Sequence, residues 1–106
     1  MEELVKIVVF VPLSHAVKIR KVMGDSGAGK IGKYSNSSFS SVGMGRFKPG
    51  KGTHPFIGQV GKLEEVEEER IETICDKKDL KKVIAGIKSV HPYEESAIDV
   101  YPLLNL

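Results

Sequence analysis

The sequence predicts an α+β domain of the ferredoxin-like type: βαββαβ order, an antiparallel four-stranded sheet, and two helices on one face of it. Three observations carry this expectation. A near-continuous β-branched run opens the chain, an uninterrupted helical periodicity occupies residues 76–90, and strand-like segments stand between them and at the end. A length of 106 residues leaves room for one domain, spanning 1–106.

Residues 4–11 read as a central strand. Val5, Ile7, Val9 and Val11 alternate onto one face, Val8 and Phe10 onto the other, so both faces are expected to be at least partly covered. Pro12 stops the strand, and Ser14 is the expected N-cap of a first helix whose Ala16, Ile19, Val22 and Met23 share a side. Gly24, Gly27 and Gly29 end that helix. Residues 34–47 read as a serine-rich strand anchored by Tyr34, Phe39, Val42 and Phe47, and KPGKGTHP at 48–55 reads as a loop. Residues 59–75 fit two patterns. Val60, Leu63, Val66 and Ile74 make a helical stripe, whereas Ile71, Thr73 and Cys75 alternate; Gly58, Gly61 and the β-branched end favour a strand. Residues 76–90 are the clearest helix, with Asp76 as N-cap, Asp79 completing a capping box, and Leu80, Val83, Ile84 and Ile87 on one face. His91-Pro92 ends it, and 97–103 forms the last strand. Helices on one face leave the other bare, and there a partner subunit is expected.

Charge is segregated along the chain. Ten Lys and Arg residues face the single acid Asp25 between residues 4 and 63, whereas six basic residues meet eleven acidic ones from residue 64 onward. Such a split suits an anion-binding face, or subunits that pair by opposite sign. The lone Cys75 excludes an internal disulfide and suits a reducing compartment. Lys6 and Pro12 interrupt the opening apolar run before it reaches the length of a signal peptide or membrane span, so a cytoplasmic location without membrane attachment is expected.

GDSGAGK at 24–30 has Walker A spacing, but Ile31 stands where the magnesium-ligating hydroxyl belongs, and helix precedes loop precedes strand, the reverse of a phosphate loop. His15, His54, Cys75, His91, Glu94, Glu95 and Asp99 are the available metal donors; only His91, Glu94 and Glu95 are close in sequence, and Pro92 makes that stretch a turn. The alternative for His91 is a cap on the preceding helix. Cys75 stands in apolar strand context, and Ser14 and His15, being adjacent, are expected to diverge. No catalytic residue is expected. The glycine-rich stretch 43–61 implies demanding backbone geometry, and Arg46, Lys48 and Lys51 would surround an anion nest there. The aromatic signature of RNA-binding sheets is absent, so no nucleic-acid partner is expected.

Three stretches, VFVPLSHAVKIRKVMGDSGAGKIGKYSNSSFS, GMGRFKPGKGTHPFIGQVGKLEEVEEERIE and HPYEESAIDVYPL, together resemble the insertion domain of the Nif-three (YqfO) family over nearly the whole chain. Ser96 stands where that family usually has Pro. The resemblance implies a PII/CutA-like fold, a homotrimer, and a stand-alone version of the inserted domain. It also places the family's dinuclear metal site in a different domain, so that no catalytic residue carries over.

The expected function is therefore a non-enzymatic trimeric binding or regulatory module. Its expected partners are copies of itself and a small anionic ligand or a separate protein. Expected ligand contacts are Arg46, Lys48, Lys51 and His54 on the glycine loop with His91, Tyr93 and Glu94 from the turn after the second helix. The alternative is a divalent-metal-binding cation-tolerance protein using His91, Glu94 and Glu95, which leaves a divalent metal ion as the one cofactor to test.

Overall fold

Strand β1 (Leu4–Pro12) occupies the interior of the sheet because its β-branched residues pack on both sides. In this computed structural model, which describes residues 3–104, it is followed by α1 (Ala16–Asp25), β2 (Phe39–Phe47), β3 (Glu64–Asp76), α2 (Leu80–Val90) and β4 (Ala97–Pro102). The sheet order is β2-β3-β1-β4, antiparallel throughout. This is the expected ferredoxin-type α+β plan. Residues 1–2 and 105–106 of the expected 1–106 domain lie outside the described residues. No helix of the described residues is long and apolar enough to cross a membrane.

Register sorts the side chains. Val5, Ile7, Val9 and Val11 of β1 lie opposite Cys75, Thr73, Ile71 and Glu69 of β3, on the face covered by the helices. Ile19 and Met23 of α1 and Val83 and Ile87 of α2 close over them into one core. Each fully buried isoleucine or valine there contributes about 1.5–3 kcal/mol of hydrophobic free energy. Arg20 of α1 donates to Glu69, pinning that helix to β3. On the opposite face Val8 is also fully buried, flanked by the Lys6–Glu72 ion pair at 3.8 Å and by Arg70, whose guanidinium stands 5.7 Å from the Phe10 ring centre. Beyond the helices, β2 and the first half of β3 run on as an arm, and the molecule measures 48 × 24 × 22 Å.

Several boundaries differ from expectation. The serine-rich strand begins at Phe39, not at 34: Tyr34 closes a tight turn with Ile31, and Asn36 takes φ 57°. Residues 59–63 belong to the loop, and the helical alternative for 59–75 does not form; the strand starts at Glu64. Neither Ser14 nor Asp76 nor Asp79 makes a side-chain capping bond, because short 3-10 turns at Leu13–His15 and Lys77–Asp79 lead into the helices through backbone bonds. The Walker-like segment is a helix ending. Ala28 N–H donates to Met23 O and Gly27 N–H to Gly24 O, the Schellman pattern, with Gly27 at φ 111°. The amides of Ser26, Gly27 and Ala28 are therefore spent on the helix, and that of Gly29 on Ile74 O of β3.

Candidate functional site

The connection 48–63 between β2 and β3 is folded on itself. Gly61 N–H donates to Pro49 O at 2.8 Å, Thr53 N–H to Gly50 O at 3.2 Å, and Pro49 is buried beneath it. Two contacts tie it to the rest of the molecule. The Phe56 ring stands edge-on to His15 with centres 5.5 Å apart, and His54 N–H donates to Glu94 Oε1 at 3.0 Å. Between this connection and the turn 91–96 lies a cleft of about 270 Å³. Phe47, Phe56, Pro49, Pro55 and Tyr93 form its walls, Glu68 lines it from β3, and Arg46, Glu94 and Glu95 border it.

Glu68 is the buried carboxyl of this site, only 8% exposed. It points away from the helices, since its register partner Pro12 and the neighbouring Gly43 lie on the open face of the sheet. Tyr93 OH donates to Glu68 Oε2 at 2.6 Å. Burial first, and then the bond to Glu68 and its charge, push the Tyr93 phenol well above its ordinary value of 10, so it stays a neutral donor. The Tyr93 ring also tilts against Phe47, centres 5.8 Å apart.

His91 fixes the turn that carries Tyr93. Its Nδ1 accepts from Tyr93 N–H at 3.1 Å, which leaves the proton on Nε2 to donate to Phe10 O at 2.8 Å. This is the neutral tautomer. Burial holds His91 below its ordinary 6.5, against the upward pull of the Phe10 carbonyl and the Glu68 charge. The sign follows: as pH falls below 6.5 the unfolded chain takes up a proton that the folded chain resists, so stability present above 6.5 is lost on acidification. Thermal unfolding measured from pH 7.5 to 5 is expected to show a falling midpoint, with a shallower fall in His91→Gln.

The expected ligand residues divide into two groups. Arg46, Tyr93 and Glu94 line the cleft, while His91 supports it from behind. His54 contributes its backbone amide, and its side chain is exposed. Lys48 and Lys51 are exposed on the loop and do not line the cleft. The expected anion nest is thus partly filled from within, by the Glu94 carboxylate on the His54 amide. The expected metal set of His91, Glu94 and Glu95 is not assembled: both His91 nitrogens are engaged, and no group of three metal-ligating side chains is arranged to hold an ion among the described residues.

Ser14 and His15 do meet, contrary to expectation, with Oγ 2.8 Å from Nδ1. No carboxylate hydrogen-bonds that imidazole among the described residues, so the pair lacks the orienting group that a nucleophile's base needs. The Cys75 thiol is buried and donates to Asp76 O. Burial, then the nearby Asp79 and Asp76, raise its pKa above 9.0, the opposite of activation. Glu68, Phe47 and Phe56 escaped the sequence reading. The two phenylalanines bracket the glycine loop and were legible as its apolar ends, whereas nothing local distinguishes Glu68 from the glutamates around it.

No protein-family model matches the chain. It is 53% identical over 104 residues to a GTP cyclohydrolase 1 type 2 homolog of Halalkalibacterium halodurans, an alignment covering 98% of this chain and 28% of that protein. A homolog of the same name from Bacillus subtilis is 48% identical over 102 residues. The chain spans about a quarter of the length of the curated relatives it matches. Among solved structures, the Bacillus cereus protein related to NIF3 superposes with a TM-score of 0.86 at 53% identity, covering 98% of this chain and 26% of that one. The CutA1 protein of a Shewanella species (TM-score 0.71, 13% identity) and the Bacillus subtilis GlnK–ATP complex (0.64, 19%) share the fold. They cover 98% and 97% of this chain and 84% of their own chains.

Proposed function

The chain is a homologue of one PII/CutA-like segment of the GTP cyclohydrolase 1 type 2 homolog (NIF3/YqfO) proteins, and on that premise we propose that it is a non-enzymatic binding module that assembles as a homotrimer and takes its ligand in the Glu68–Tyr93 cleft. The cleft itself carries the reading. Its walls are mostly apolar, Glu68 and Tyr93 pair within its lining, and its turn is locked by His91; a small concave site of this make-up is built for binding. No activated nucleophile accompanies it among the described residues, because the Cys75 thiol is packed away and Ser14–His15 lacks a third group. Regulation follows from position: the cleft sits between the loop and the turn, so a ligand there would set how the exposed loop is presented.

Assembly is supported by the arm. Phe39, at 68% exposure, faces the open side of the sheet, while Val42 and Met44 lie exposed on the helix-side face of the arm, beyond the reach of the helices. Exposed apolar residues on both faces of an edge strand favour burial against another copy. Light scattering is expected to give the mass of three chains. Phe39→Asp is expected to release folded monomers, with an unchanged circular dichroism spectrum. A wild-type monomer at micromolar concentration would overturn the trimer.

A further inference from the structure

The wall chemistry of the cleft narrows its ligand class. The Glu68 carboxylate, 92% buried as a residue, has Oε2 taken by Tyr93 and Oε1 without a partner among the described residues. It lies across β2 only because residue 45 is glycine: a Cβ there would sit 1.9 Å from Oε1. Oε1 keeps contact with solvent and so stays open to a ligand. Glu94 and Glu95 add two further carboxylates to the lining. Arg46, the cationic member of that lining, has its Nε 3.6 Å from Glu65 Oε1. The Tyr93 proton is committed to Glu68, and the His54 amide to Glu94. An anion entering here would meet three carboxylates against the single guanidinium of Arg46. A cation would meet the Glu68 carboxylate in a lining that also holds Phe47, Phe56 and Tyr93, the combination of charge and aromatic faces that recognises ammonium groups.

We propose that the cleft binds an organic cation with a short apolar body, its ammonium on Glu68 and its body among the aromatic and proline side chains. This rests on the reading of the cleft as the ligand site, and replaces the anion expected from the loop's lysines. The volume, about 270 Å³, falls just below the range of roughly 300–1,000 Å³ typical of drug-sized ligands, so the ligand is small. The ammonium can belong to a free amine or to a lysine side chain of a partner protein.

The test is a protein-observed NMR titration with three probes of one shape: phenethylammonium, 2-phenylethanol and phenylacetate. The ammonium is expected to bind about tenfold more tightly than the other two. Glu68→Gln is expected to bring it to the level of the alcohol, and Phe56→Ala to weaken it about fivefold or more. Tighter binding of N-acetyl-lysine methylamide than of phenethylammonium assigns the cation to a partner protein, and the reverse order assigns it to a free amine; either supports the proposal. Equal binding of all three probes, or preference for phenylacetate, overturns the cation proposal and leaves the ligand site standing. No shift at Tyr93 or Phe56 with any probe at millimolar concentration removes both.

Discussion

Replacing Gly29 by alanine is expected to lower the unfolding midpoint by roughly 10–20 °C, from a loss of about 3 kcal/mol. Gly29 is where the loop after α1 crosses the end of β3. Its N–H donates to Ile74 O at 2.7 Å and its carbonyl accepts from Ser37 N–H at 3.0 Å, and its φ is 82°. A methyl group there would lie 2.6 Å from both the nitrogen and the oxygen of Ser37, which are backbone atoms with little freedom to retreat. The left-handed strain and the collision add, and the neighbouring Thr73 Oγ bond to Ser37 O would be dragged with them. Gly32 supplies the control. It has φ 57° and open space around the would-be methyl, so Gly32→Ala is expected to cost about 1 kcal/mol or less. Differential scanning calorimetry of the two variants checks the contrast; equal midpoints would refute the crossing as the cause.

The second large effect is expected at Tyr93. Tyr93→Phe keeps the ring against Phe47 and removes only the donor to Glu68, leaving a buried carboxylate with no hydrogen-bond partner among the described residues. The expected cost is roughly 1.5–3 kcal/mol in urea unfolding, because hydrogen bonds to charged groups lie at the upper end of the scale. Glu68→Gln alone and the double variant complete a cycle, in which a coupling of about 1–2 kcal/mol is expected. A coupling near zero would mean that phenol and carboxylate act separately. Alkaline pH gives an independent readout. The Tyr93 pKa is raised in the folded chain, so the unfolded chain releases its proton first, near 10. Stability present below that value is lost as pH rises, and Tyr93→Phe is expected to flatten the alkaline limb.

Beta-branched alternation in β1 and the apolar stripe of α2 were legible because each element buries one complete face, and the burial period is written into the residues. The acidic strand was harder. Of the apolar and small residues of β3 only Ile71, Thr73 and Cys75 reach beneath the helices, while Glu64 to Glu67 run past the end of β1 on the arm, where no core imposes alternation. The same cause hid the start of β2: Tyr34 is exposed, and an aromatic outside the core cannot mark a strand. Likewise the 3-10 turns that replaced the capping bonds depend on how Pro12 and Asp76 leave the sheet, which is a matter of sheet geometry.

The site shows the same division. The irregular backbone of the glycine loop and the HPYEE turn pointed to both walls of the cleft, and Arg46, Tyr93 and Glu94, singled out on that signal, line it. Six glutamates crowd residues 64–72, and their sequence neighbours do not tell them apart. Only strand pairing does: Glu68 lies opposite Gly43, under the gap left by Gly45 and within reach of Tyr93, so it alone of the six is buried. By itself the sequence determined the elements, their order and the face each presents to the core, because those follow from local periodicity. Which carboxylate ends up beneath a phenol, and hence the charge the cleft offers a ligand, was decided by the tertiary structure, because register brings together residues that are distant in the chain.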